Sequence, residues 1–214
     1  MSREEVVIAG FGGQGVLLIG KLLAQAALDA GREVSWLPSY GPEMRGGTAN
    51  CTVVVSDDPI ASPIVDHPRG VVAMNRPSLD KFEGSVEAGG FLVINSSMVD
   101  RGAERTDLLV VNVRSLEMAQ ELGNVKAANM IVLGALAGLS ALVGLQQIRR
   151  AVEHAFEQKP RALEVNLRAL EAGHALAQVE IARAGAKGRG KGLDGSGGAG
   201  GAGNDSDGSA CGLH

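Results

Sequence analysis

The chain has 214 residues, enough for one full-sized domain, and its 45% hydrophobic and 21% charged residues are ordinary for a globular protein. With 3% aromatics the core has to be aliphatic and alanine-rich, as where helices pack on a sheet. A net charge of −4 without a basic stripe argues against nucleic acid, and two distant cysteines, Cys51 and Cys211, cannot supply a zinc or iron–sulfur site.

The polar start Met-Ser-Arg-Glu-Glu carries no secretory signal, and unpaired cysteines suit a reducing, cytoplasmic setting. Glu5–Ala9, with Val6-Val7-Ile8, reads as a buried strand, and Gly10-Phe11-Gly12-Gly13-Gln14-Gly15 follows at once. An alanine- and leucine-rich helix is predicted over Val16–Ala30, ended by Gly31. Glu33–Leu37 reads as a second strand closed by Pro38, which completes a unit of the size of a βαβ crossover. A polar loop, Ser39–Gly47, leads into a strong strand, Thr48–Val55, which Asp57-Asp58-Pro59 closes.

Gly70–Met74, Gly90–Asn95 and Asp107–Val111 are further short strands, with a short helix over Ser78–Val86 between the first two. The last third is helical in pattern: Leu116–Leu122, Ala127–Leu142, Leu145–Phe156 and Arg161–Ala184. The uncharged stretch Ala127–Leu145 has nearly the length of a membrane span, but its glycines and alanines fit a buried helix better. The alternation predicts an α/β fold, a three-layer α/β/α domain with a largely parallel, Rossmann-like sheet over residues 1–184. Residues 185–214 hold over a third of the chain's 31 glycines and little to bury, and read as a disordered tail.

The first glycine loop leaves a strand and opens a helix, where close backbone approach and free amides suit a phosphate or diphosphate. Three readings stand: a packing turn, a site for NAD(P) or flavin, or a site for another phosphate-bearing ligand. The acidic residue that holds a nicotinamide ribose belongs at the end of the second strand. That strand ends Trp36-Leu37-Pro38-Ser39, and Glu33 lies at its start.

The second loop, Ser39-Tyr40-Gly41-Pro42-Glu43-Met44-Arg45-Gly46-Gly47, concentrates the only tyrosine, a glutamate and an arginine between two strands. Gly-Phe-Gly-Gly-Gln-Gly followed by Pro-Ser-Tyr-Gly-Pro-Glu-Met-Arg-Gly-Gly resembles the γ subunits of 2-oxoacid:ferredoxin oxidoreductases. Asn95-Ser96-Ser97 and Asn129 to Leu136 also look like segments of that family, so the resemblance runs over about residues 4–182. Overall similarity leans toward the 2-oxoglutarate type, with branched-chain acids and pyruvate behind. The glycine-rich tail departs from the pattern.

The resemblance implies a subunit of an oxidoreductase that turns a 2-oxoacid and coenzyme A into acyl-CoA and CO2, with reduction of ferredoxin. It places thiamine diphosphate and iron–sulfur clusters in partner α, β and ferredoxin-type subunits, and coenzyme A as co-substrate near this chain. Carried over, Gly10, Gly12, Gly13, Gln14 and Gly15 would line a site for its phosphates or pantetheine arm. Tyr40, Glu43 and Arg45 would line the same cleft or the subunit interface. No catalytic residue and no metal ligand is assigned, and neither nucleic acid nor membrane is expected as a partner. A stand-alone NAD(P)-dependent oxidoreductase and a structural adaptor that binds nothing are the competing readings.

Other residues carry less. Asn95, Ser96 and Ser97 could face the cleft or cap the next segment. Asn129 suits a helix cap or an interface contact, with structure preferred. Gly134 and Gly138 share a helix face and permit close packing, and Cys51 reads as a buried hydrophobe.

Overall fold

The computed structural model describes residues 2–40, 47–141 and 143–190. In chain order the elements are β1 (Arg3–Phe11), α1 (Val16–Asp29), β2 (Glu33–Tyr40), β3 (Thr48–Ser56), β4 (Gly70–Ala73) and α2 (Arg76–Phe82). There follow β5 (Phe91–Asn95), β6 (Leu109–Val113), α3 (Ser115–Glu121), α4 (Ala128–Leu139), α5 (Leu145–Phe156) and α6 (Pro160–Gly190). Single 3-10 turns, Glu83–Ser85 and Val125–Ala127, follow α2 and precede α4.

The strands form one sheet in the order β2-β3-β1-β4-β5-β6. Pairs β1–β4, β4–β5 and β5–β6 are parallel, whereas β3 runs antiparallel to both β1 and β2. Only β3 therefore opposes the common direction, and the expected largely parallel α/β sheet is present. The first crossover differs from expectation, because β2 is not the neighbour of β1. It lands one strand away, and β3 returns from it to fill the gap, with Ile8 opposite Cys51 and Trp36 opposite Val53. A return over so few residues can only run antiparallel.

Pro38 does not end β2, which continues to Tyr40. The strand lies at the sheet edge, where half of the amides have no strand to bond and proline is tolerated. At the other end of the chain α6 passes Ala184 and runs to Gly190, so the expected tail begins as helix; residues 191–214 lie outside the described residues.

Alternation along the strands separates two cores. On one face Val6, Ile8, Val53, Val72 and Val93 pack against α1, α3, α4, α5 and α6. On the other, Val7, Ala9, Val71, Leu92 and Ile94 meet Leu79 of α2 and the loop residues Val86 and Val99. Helix α4 is buried nearly all round, as its uniformly apolar sequence requires, with Met130, Ile131, Leu133 and Leu136 fully enclosed. No helix among the described residues is long and apolar enough to cross a membrane.

Helices α4 and α6 touch through backbone. A Cβ at Gly134 would strike the Leu170 carbonyl, and one at Gly173 would strike the Ile131 carbonyl. The packing role expected for Gly134 and Gly138 is present, and Gly173 supplies its counterpart on α6.

Candidate functional site

β1 delivers its last residue, Phe11, into a tight turn that opens α1. Gly13 (φ 99°) and Gly15 (φ 81°) hold left-handed backbone that other L-residues adopt only with strain. The turn is closed by the Gln14 amide on the Phe11 carbonyl (3.1 Å) and tied to the start of β3 by the Gly12 amide on the Gly47 carbonyl (2.9 Å). Gly15 caps α1 without a side chain, and no acidic residue occupies the first turn. The exposed amides and the positive end of the helix dipole thus meet no internal anion. A helix start of this kind can hold an anion such as a phosphate.

Two clefts flank that turn. The larger, about 580 Å³, is walled by apolar residues, among them Phe11, Val16, Leu18, Trp36 and Pro38, with Gly12, Gly13 and Gly15 at its rim. The smaller, about 350 Å³, lies over Met74, Asn95 and Ser115, with Lys126 and Asn129 on its wall. It sits at the carboxyl ends of β1 and β4, where the chain switches direction of travel across the sheet, the usual ligand crevice of α/β folds.

The site residues expected from sequence fall into three groups. Gly12, Gly13 and Gly15 border a cleft. Gly10 borders neither and is a packing position: a Cβ there would lie 2.6 Å from Gln14 Oε1 and 2.7 Å from the Met74 Cβ. Gln14 borders the smaller cleft, but its amide is committed to the protein. Its Oε1 accepts from the Phe11 amide (2.7 Å) and from Asn75 Nδ2 (3.1 Å), and its Nε2 donates to the Met74 carbonyl (3.2 Å). Tyr40 is the last residue of β2, and its side chain, Glu43 and Arg45 lie outside the described residues.

Sequence reasoning missed Ser115, which lines the smaller cleft, and Asn75, which is bonded to Gln14 beside it. Asn75, 2% exposed, caps α2 by accepting from the Ser78 amide (3.0 Å). The Met74 carbonyl also accepts from Asn95 Nδ2 (3.3 Å), and Asn95 Oδ1 accepts from the Ser115 hydroxyl (2.7 Å). Asn75-Arg76-Pro77-Ser78 carries a readable signal, a cap residue with proline in the first turn. Ser115 carries none, because its partner lies on another element.

The Asn95–Ser97 segment divides its roles. Asn95 faces the smaller cleft, whereas Ser97 accepts from the Leu116 amide (3.0 Å) and so caps α3. Its hydroxyl also donates to Glu117, and that bond, ahead of Glu117's own amide, holds the carboxyl below its usual range. Asn129 is no cap, since α4 is capped at Ala127. Its side chain presses on Gly15, with Cγ 3.0 Å from where a Cβ would stand, and brings the starts of α4 and α1 together.

Cys51 is fully buried, and burial pushes its thiol up to about 11 against weaker opposing hydrogen bonds from Trp36 and Gly20. It is a hydrophobe here, as expected, and no nucleophile. Among the described residues no three His, Cys, Asp or Glu side chains converge as a metal site would require.

Residues 5–176 match the family model described as pyruvate ferredoxin/flavodoxin oxidoreductase, a span that includes the turn and both clefts. The chain belongs to this family. It is 45% identical over 170 residues to the ketoisovalerate oxidoreductase subunit VorA of Methanothermobacter marburgensis, covering 78% of this chain and 35% of that protein. It is 35% identical over 181 residues to the 2-oxoglutarate synthase subunit KorC of the same organism, covering 81% of this chain and 96% of the relative. The chain thus spans about a third of the length of the VorA protein and nearly all of KorC. A solved γ subunit of a keto/oxoacid ferredoxin oxidoreductase from Geobacter sulfurreducens superposes with a TM-score of 0.69 at 27% identity, over 82% of this chain and 99% of that one. The γ-type resemblance carried by the two loops is met at the level of family and fold.

Proposed function

We propose that this chain is the γ-type part of a 2-oxoacid:ferredoxin oxidoreductase and presents coenzyme A to chemistry performed on partner subunits. The observation that carries the reading is the α1 start, capped by Gly15 without a side chain and set between two clefts at the carboxyl edge of the sheet. The phosphates of coenzyme A fit the Gly12–Gly15 cradle by charge, and its pantetheine arm fits the apolar walls of the larger cleft. Tyr40, Glu43 and Arg45, which leave the adjacent strand, would line that cleft or the contact with partners.

In the overall reaction the 2-oxoacid loses CO2, the thiol of coenzyme A takes the acyl group and releases its proton, and two ferredoxins each take one electron. Thiamine diphosphate, when bound to α- and β-type partners, supplies the decarboxylation. The iron–sulfur clusters are assigned to a ferredoxin-type partner, as the family resemblance implies. This chain's work is to hold and orient an anion. A cytoplasmic location accords with a sequence whose two cysteines, Cys51 and Cys211, form no disulfide pattern.

The resemblance in sequence leans toward 2-oxoglutarate as the acid. The higher identity to the ketoisovalerate relative supports a branched-chain acid first, and the nearly full-length similarity to the 2-oxoglutarate relative keeps that acid second. Assay of the assembled complex against a panel of 2-oxoacids, by coenzyme A-dependent viologen reduction, decides between them.

The binding role is tested in the same complex with Gly13→Val. Gly13 has space around it, so the substitution strains the left-handed turn without a clash. The KM for coenzyme A is expected to rise about tenfold, equivalent to ~1.4 kcal/mol, with the KM for the 2-oxoacid unchanged. An unchanged KM for coenzyme A in a complex that still assembles would favour the adaptor reading, and tight NADPH binding by the isolated chain would favour the stand-alone one.

A further inference from the structure

The geometry points to Gln14 and Asn75 as positioning residues that set the aim of the phosphate cradle without touching its ligand. The inference rests on the coenzyme A reading and reassigns Gln14 within it.

The side chain of Gln14 is used as a three-point brace. Both acceptor positions of Oε1 are filled, by the Phe11 amide at one end of its own turn and by Asn75 Nδ2 from the segment after β4. Its Nε2 reaches the Met74 carbonyl, whose second acceptor position is taken by Asn95 Nδ2. A flipped amide would set Nε2 against two donors and Oε1 against a carbonyl, so only one orientation satisfies the site.

Asn75 is equally determined. Its Oδ1 is committed to the Ser78 amide as the cap of α2, which leaves Nδ2 aimed at Gln14. Through these bonds the turn between β1 and α1 is fixed to the ends of β4 and, through Asn95 and Ser115, to the neighbourhood of α3. The turn needs such a brace. Two of its residues hold left-handed glycine backbone, and glycine loses more conformational freedom on ordering than any other residue. Amides that must point at an anion gain affinity by being held before it arrives.

The two roles of Asn75 can be separated by substitution. Asn75→Ser keeps a good helix cap but is too short to reach Gln14. Gln14→Met keeps the volume and removes all three bonds. Both are measured in the assembled complex, beside Gly13→Val. Asn75→Ser is expected to raise the KM for coenzyme A about tenfold, the effect of one lost buried amide bond of ~1.4 kcal/mol, and Gln14→Met by at least as much, with kcat and the KM for the 2-oxoacid left in place. In the Gln14→Met background Asn75→Ser should add nothing, because the bond it removes is already gone.

A rise for Gly13→Val with none for Asn75→Ser overturns the brace and leaves the coenzyme A reading standing. No rise for any of the three overturns the reading itself. Equal movement of both KM values, or a fall in kcat alone, marks Asn75 as structural and also overturns the brace. If Asn75→Ser lowers the yield of complex, Asn75→Thr, another helix cap too short to reach Gln14, gives the same comparison.

Discussion

The two faces of the sheet are closed by different means. Over one face lie five helices held mainly by apolar contacts and, between α4 and α6, backbone against backbone, with polar contacts such as Arg149–Glu171 and Gln178 on the Gly138 carbonyl beside them. Over the other lie α2 and a run of loops, and there the covering is fastened by charge. Glu83, 5% exposed, accepts from the amides of Glu104 (2.5 Å) and Arg105 (3.0 Å) and pairs with Arg101 (2.9 Å). Asp80, Asp100 and Asp107, all held below the usual carboxylate range first by hydrogen bonds from Arg101, Arg76 and Arg105 respectively, surround it. Area closes the first face and polar fastening the second, so they should answer to different insults.

Steric insult belongs to the helical face. Gly134→Ala drives a methyl into the Leu170 carbonyl, which cannot move without shifting α6. Overpacking against backbone should cost ~3 kcal/mol, which for a chain of this size lowers the melting temperature by roughly 6–12 °C. A loss within a degree or two would mean that the two helices are not in fixed contact, and the contrast between the faces would weaken.

Acid belongs to the other face. Burial pushes the Glu83 carboxyl up, but the Arg105 amide, Arg101 and the Glu104 amide together outweigh it and hold it below its usual range. A depressed carboxylate contributes stability that is complete above the unfolded-state value, ~4.3, and is lost as pH falls through the lower folded value. Glu83→Gln should therefore cost ~2 kcal/mol at neutral pH, for one ion pair and two amides left with a weaker acceptor. The gap to the wild type, followed by urea denaturation from pH 7 to pH 3, should narrow as the wild type loses its own charge. A constant gap would show that Glu83 acts by shape alone.

The helical face was largely legible in the sequence, because burial on it follows helical and strand periodicity. The pattern predicts the helix Leu145–Phe156 with both ends where the structure has them, and the Gly134–Gly138 spacing indicates close packing. The antiparallel entry of β3 was not legible. A strand–helix–strand unit has the same pattern whether its second strand lands beside the first or one position away. Pro38 misled for a related reason, since its cost depends on whether the strand is an edge. Within the candidate site the glycines at 12, 13 and 15 announced themselves by motif. The polar floor was legible only in part: Asn95 could be read as facing the cleft, Asn75 and Ser115 were not singled out, and the motif suggested a ligand for Gln14 where the structure gives it protein partners. The fastening around Glu83 was hidden in the same way, its partners lying some twenty residues downstream with no pattern to join them.

The smallest effect sharpens the contrast most. Arg76 pairs with Asp80 (3.3 Å) and Asp100 (2.7 Å) on the same face as Glu83, but all three side chains are about half exposed or more. Water competes for such pairs and ordering two long side chains offsets what they gain. Arg76→Ala should leave the melting temperature where it is, while Glu83→Gln in the same preparation lowers it. If Arg76→Ala were as harmful, the charged face would be held by its whole network, and the burial of one carboxylate would not be what fastens it. The expected asymmetry between two substitutions within one cluster of charges would assign the fastening to Glu83, because it alone among those carboxylates is enclosed and bonded to backbone.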